Sequence, residues 1–238
     1  MASTFLELTN RLLRKLNEVE IAEADFANTR GVQSLAKDAV LDSIRQINQA
    51  EYEWPFNSAQ HTQVLVGGQE EYSWPQFFKV VDWNSFQIQK NDSLNIQHKM
   101  LDFLSLDEYY RRYKSTDDSS ATAGISCPSF VAPTHGNGYL VSPSPDKGYS
   151  IQFRYYMNNV GLTAANDQTR IPSSYDNVII DGALYYMYMF RDNPESAGVT
   201  IQVFQQSIKN MQGILINKYH RVYDTRINRK SKTEYLGL

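Results

Sequence analysis

Residues 171–223 read IPSSYDNVIIDGALYYMYMFRDNPESAGVTIQVFQQSIKNMQGILINKYHRVY, and the fold follows from how this stretch is divided. Val178-Ile179-Ile180 and Ala183-Leu184-Tyr185-Tyr186-Met187-Tyr188-Met189-Phe190 are apolar or aromatic on nearly every side, the mark of a buried helix. Pro172, Ser173 and Asp176 predict its start in the manner of a capping box. Asn193-Pro194-Glu195 stops it and opens a second helix, with Asn as N-cap, Pro in the first turn and an acid beside the positive end of the helix dipole. Ala197, Ile201, Phe204, Ile208, Met211, Leu215 and Val222 then recur at helical spacing along one face. Two helices joined so tightly form an αα-hairpin. Its expected core is Ile180, Leu184, Met187, Phe204, Ile208 and Met211.

Upstream, Thr4-Phe5-Leu6-Glu7 is a capping box, and Phe5, Leu8, Leu12, Leu16 and Val19 share a face, predicting a helix over 4–18. A second helix is expected over 28–53, burying Val32, Leu35, Ala36, Ala39, Val40, Ile44 and Ile47 until Trp54-Pro55 ends it. From His61 the period changes to two. Strands are expected at 61–66, 78–83, 85–89, 94–97, 128–131, 138–141 and 150–156, with turns at Gly67-Gly68, Lys90–Ser93 and Thr134–Gly138. Ser105-Leu106-Asp107-Glu108 opens a short helix within this region, 115–150 is rich in Ser, Thr, Asp, Gly and Pro, and Thr116-Asp117-Asp118-Ser119-Ser120 reads as a mobile loop on composition. The reading is an α+β fold: an antiparallel helical bundle (1–60 and 172–223), a β-rich insertion (61–171) and an extended C-terminal tail (224–238).

Bulk properties narrow the function. The 238 residues are 42% apolar and 13% aromatic, ample for a packed core, and sixteen tyrosines suit wet interfaces as well as interiors. A net charge of −3 argues against a general nucleic-acid binder. Cys127 is the single cysteine, so no intrachain disulfide forms. No apolar run approaches the ~20 residues that span a bilayer, and Met1–Phe5 lacks the basic start of a signal peptide, so no membrane partner is expected.

The chemistry-bearing residues do not assemble into a motif. His61, His98, His135 and His220 are scattered without metal-ligand spacing, so neither metal nor cofactor is expected. Cys127 beside Pro128 reads as a small apolar residue at a strand start, with a thiol nucleophile paired to a distant histidine as the enzymatic alternative. Thr134–Gly138 has glycines but no Lys-Ser/Thr, hence a turn rather than a phosphate loop. Asp117-Asp118 reads as a solvated pair. The polar C-terminal tail, with Arg226, Arg229, Lys230 and Lys232, offers a second alternative, a DNA-binding module acting through phosphates. No catalytic constellation emerges, and the expectation is a protein without enzymatic activity.

One further pattern is the order of parts. Two N-terminal helices end in Trp54-Pro55-Phe56-Asn57; Val80-Val81-Asp82-Trp83 and Leu106-Asp107-Glu108-Tyr109-Tyr110 follow; paired strands lead to Ile171-Pro172, Ala183-Leu184-Tyr185-Tyr186 and Asn193-Pro194-Glu195. In this order, over residues 4–223, the chain resembles the head-to-tail adaptor (connector) proteins of tailed phages, including the tail tubular proteins of short-tailed phages. The resemblance implies a structural virion protein at the neck, assembled in the host cytoplasm. It implies a homo-oligomeric ring, usually a dodecamer, bound to the portal protein and to tail nozzle or tail-tube proteins. Viral DNA would pass through it without sequence-specific binding. The β-rich part is expected on the tail side. Family members commonly reach the portal with a C-terminal segment, which here would use Arg226, Ile227, Arg229, Lys230, Tyr235 and Leu236.

Overall fold

The computed structural model describes residues 2–92, 95–114, 125–158 and 161–216. In chain order its elements are α1 (Phe5–Lys15), α2 (Val32–Ala50), β1 (Ser58–Val64), β2 (Glu71–Ser73), β3 (Phe78–Val81), β4 (Gln87–Asp92), β5 (Asn95–Met100), β6 (Asp102–Phe103), α3 (Leu106–Arg112), β7 (Phe130–Pro133), β8 (Gly138–Ser142), β9 (Ser150–Met157), α4 (Asp176–Phe190) and α5 (Pro194–Leu215). Helix and sheet segregate along the chain, an α+β arrangement. The chain divides into a helical unit, Met1–Glu51 with Leu162–Leu238, and a strand-rich unit, Tyr52–Gly161.

In the helical unit α4 is the centre, packed against α1, α2 and α5. Its path through the core is permitted by Gly182. A Cβ there would stand 2.3 Å from Ser43 Oγ of α2 and 2.7 Å from the Phe204 ring of α5, so only a bare backbone lets three helices meet. Ser43 Oγ–H donates to the Ile179 carbonyl at 2.8 Å, which satisfies a hydroxyl with no exposure. The inner seam of α5 is Ala197, Phe204, Ile208 and Met211, all buried. Asn193 caps it, its side-chain oxygen accepting from the Ser196 N–H at 3.1 Å.

The capping box at Thr4 is complete: the Glu7 N–H donates to Thr4 Oγ1 and the Thr4 N–H to Glu7 Oε2. Two further N–H groups of that first turn, on Phe5 and Leu6, donate to the Asp167 and Ala165 carbonyls. The start of α1 therefore leans on a segment more than 150 residues away, which offsets the orphan donors of a helix end. A short 3-10 helix, Glu23–Asn28, then sets Phe26 edge-on to Phe5, with ring centroids 5.1 Å apart.

Several expectations are corrected in this unit. α1 ends at Lys15, and Asn17 takes a left-handed φ of 57°, so Val19 leaves the helical face and is 77% exposed. α2 starts at Val32, not Asn28, because Gly31 turns the chain with a φ of 59°. Asp176 makes no capping bond. It accepts from Ser3 Oγ at 2.6 Å and pairs with Arg11 at 3.5 Å, while a 3-10 turn, Ser173–Tyr175, leads into α4. Met189 and Phe190 are exposed, so α4 is buried only over its earlier turns. Helix α5 is described to Leu215; Val222 lies outside the described residues.

The strand-rich unit holds two sheets. The first has the order β1-β9-β4-β5, with β3 also on β9, and all its pairs are antiparallel. The second has the order β2-β8-β7-β6, in which only β6–β7 is parallel. Phe86, Ile88, Ile151 and Phe153 of the first sheet region share one buried cluster with Val131, Tyr139 and Val141 of the second. Alternation along β9 is the reason: Ile151, Phe153 and Tyr155 turn inward while Gln152 and Arg154 turn outward. Rings fill the space between, Phe86 on Phe153 at 4.5 Å and Trp74 on Phe78 at 4.3 Å, both stacked. α3, capped by Ser105, seats Tyr109 over Leu104, Ala132 and Leu140.

Here too the boundaries move. Lys90–Asp92, expected as part of a turn, belong to β4, and β5 starts at Asn95; Ser93 lies outside the described residues. β2 and β6, three and two residues long, were not expected at all. Thr134–Gly138 is the turn between β7 and β8, and a Cβ on Gly138 would lie 2.2 Å from the Tyr72 carbonyl oxygen. That glycine serves strand approach, not phosphate.

Candidate assembly interface

Cys127, His61 and His135 are engaged in packing, whereas His98 is exposed on β5. Cys127 is half-buried against the cluster of the strand-rich unit, its Sγ 3.8 Å from the Pro128 carbonyl. The His61 ring lies 5.3 Å from Phe153, and His135 stacks on Tyr110 at 5.7 Å. Among the described residues no three His, Cys, Asp or Glu side chains are grouped to hold a metal. Asp117, Asp118 and His220 lie outside the described residues.

Burial shapes the titration of this unit. The Tyr139 hydroxyl is pushed far above the usual tyrosine range by burial and then by the neighbouring Tyr72, while it donates to Gln63 Oε1 at 3.0 Å. Burial against aromatic rings also lowers His61 below its ordinary 6.5, a hydrogen bond with Gln63 partly opposing it. His61 is thus neutral in the fold but takes up a proton more readily once unfolded. Stability from this group is intact above pH 6.5 and falls as the pH drops through 6.5 toward the depressed folded value. Thermal melts between pH 7.5 and 5 are expected to show that loss. His61→Gln should flatten the slope; an unchanged slope would remove His61 as its source.

What remains is surface. The outer side of α5 is unusual for an exposed helix, since Glu195 and Lys209 are the only charged residues among its 22. Val199, Val203 and Ile214 are exposed along it, Ile214 at 73%, between Gln202, Gln205, Gln206 and Asn210. Gly198 and Gly213 sit exposed in the same helix with open space where a Cβ would be. Each costs roughly 0.5–1 kcal/mol relative to alanine, with no close approach among the described residues to require it. By contrast, α1 and α4 are tied by ordinary ion pairs, Arg11 to Asp176 and Lys15 to Asp181.

A second low-charge surface is the outer face of the first sheet. Thr62, Gln152 and Gln87 lie in one row across β1, β9 and β4, and Gln87 Nε2 donates to Gln152 Oε1 at 2.9 Å. Arg154, the charge beside them, pairs with Asp82.

These features are surfaces suited to packing, and the comparison with known families bears on what they pack against. The family model for the SU10 adaptor protein matches residues 3–229. The chain belongs to that family. No curated protein matches it. For an SU10 adaptor, a phage head-to-tail structural role follows, with portal and tail components as partners and the head–tail junction of the virion as its place. Among the described residues no helix is long and apolar enough to cross a membrane.

Of the residues singled out in the sequence, Ile180, Leu184, Met187, Phe204, Ile208 and Met211 are all buried in the adaptor's helical unit. Arg226, Ile227, Arg229, Lys230, Tyr235 and Leu236 lie outside the described residues. The outer side of α5 was missed. Its signal was present as the scarcity of charge over 194–215 and two glycines inside a helix, but the apolar seam on the other side drew the reading.

Proposed function

We propose that this adaptor forms a ring, twelve-fold in the family manner, directly below the portal, where it prolongs the DNA channel and offers the tail its platform. The match over residues 3–229 carries the reading, because it spans both the helical and the strand-rich parts of the chain. The outer side of α5 supports side-by-side packing. A ring needs a heterologous contact between two different faces of each subunit, and a weakly charged helix with exposed valines and glycines is costly alone but suited to close approach.

Within this reading the segments 1–51 and 162–223 form the helical body, 52–161 the β-rich part, in place of the boundaries at 60 and 172 expected from the sequence, and 224–238 the portal-docking tail. Arg226, Ile227, Arg229, Lys230, Tyr235 and Leu236 make that contact. A tail that orders on its partner costs ordering entropy at that moment but wraps a large surface. The net charge of −3 suits passage of DNA without adhesion, since few phosphate contacts are available to release counterions. The protein needs no cofactor or catalysis for this role.

The test is native mass or light scattering of the purified protein, alone and mixed with its portal. A stoichiometric multimer on the portal is expected. A monomer or dimer indifferent to the portal contradicts the proposal.

A further inference from the structure

Among the described residues the first sheet of the strand-rich unit ends in two different open edges. At one end β1 pairs with β9 along its whole length, Ser58↔Tyr156 to Val64↔Ser150, without a bulge. Ala59 and His61 turn toward the core yet stay half-exposed, while Ile151 and Phe153 beside them on β9 are buried. That contrast fits an outer edge of β1 on which no strand pairs among the described residues. Its seven residues, SAQHTQV, carry no charge and no proline, so the devices that normally protect an edge strand are missing.

At the other end β5 pairs with β4 alone among the described residues. β4 itself meets β9 only over Gln87–Gln89, and β9 begins at Ser150. Beyond that point Lys90–Asp92 and Asn95–Gln97 pair only with each other, so a two-stranded ribbon runs on past the sheet. Such a ribbon is marginally stable in water and needs a third strand or a surface. The one charged residue of β5, Lys99, is held within its own subunit by the Pro128 carbonyl at 3.1 Å and the Ser129 hydroxyl at 2.6 Å.

We propose that the β1 edge of one subunit pairs with the β5 edge of a second copy, so that the sheet continues from subunit to subunit. The two edges are of similar length, seven and six residues, or about 20 Å each. Backbone N–H and C=O groups left open on one are answered by those on the other. Because the edges differ, the contact is heterologous and propagates in one direction, as a closed ring requires. The inference rests on the ring reading above and adds which strands join its members.

Hydrogen exchange on the full chain, free and assembled on the portal, tests it in samples whose mass is measured alongside. Exchange in peptides covering 58–64 and 95–100 is expected to slow at least tenfold on ring formation. The double variant Thr62→Lys with Val64→Lys, at exposed positions of β1, is expected to melt like the parent but fail to form the ring. A ring that forms with both peptides unprotected overturns the proposal, as does a ring of normal stoichiometry from the lysine variant. Protection at 58–64 that appears only on adding a tail protein gives that edge to a different strand and also overturns it. A chain that stays monomeric on the portal overturns the ring reading and the edge pairing together, and the mass separates this failure from the others.

Discussion

Leu184→Asp is expected to leave no folded helical unit. Leu184 is buried on α4, the helix against which α1, α2 and α5 pack. Loss of the leucine alone costs roughly 2–5 kcal/mol. The new carboxylate adds several kcal/mol more, since a charge without a partner is taken out of water. Together these approach the about 5–15 kcal/mol that separates most folded domains from their unfolded chains. Circular dichroism is expected to show loss of helix and of the cooperative melt. A soluble variant with a melt near that of the parent would mean that α4 is not the centre of the unit.

Deletion of residues 224–238 is expected to separate folding from docking. The described fold is complete at α5, whose last seam residue, Met211, is buried well before the deletion. The truncated chain should therefore keep its melt. If Arg226, Arg229 and Lys230 meet the portal with Ile227, Tyr235 and Leu236 beside them, its affinity for the portal should fall at least a hundredfold. Copurification with the portal checks this, and unchanged docking would remove the tail from the contact.

The sequence was most informative where structure is decided by neighbours in the chain. Asn193 and Pro194 start α5, and Thr4 with Glu7 starts α1, because capping chemistry is complete within four residues. The alternation of β9 was legible for the same reason: eight residues are enough to show a period of two. β2 and β6 were not legible, as three and two residues carry no period. Asp176 shows the opposite limit. Its position fits a cap, but its partners Ser3 and Arg11 lie more than 160 residues away in the chain, and the local signal could not reveal them. Val19 was misplaced because extending a helical face by one turn ignores the left-handed Asn17 that ends it.

The candidate interface was legible only in part, for a related reason. An inner seam announces itself by apolar periodicity, whereas an outer side meant for another chain looks like any polar surface until its exposure is known. Val203 and Ile214 are ordinary apolar residues in the sequence, and only the fold shows that none of the described residues covers them fully. The free edge of β1 is likewise a property of sheet order, fixed by β9 returning from the far end of the unit.

A ring of this chain at the neck, as proposed, is open to direct observation. Electron cryomicroscopy of the intact virion neck tests it most directly. A closed ring of this chain in contact with the portal, with the channel running through its centre, is expected. Density for the neck that this chain does not fit, or its presence only as isolated copies away from the portal, would contradict it.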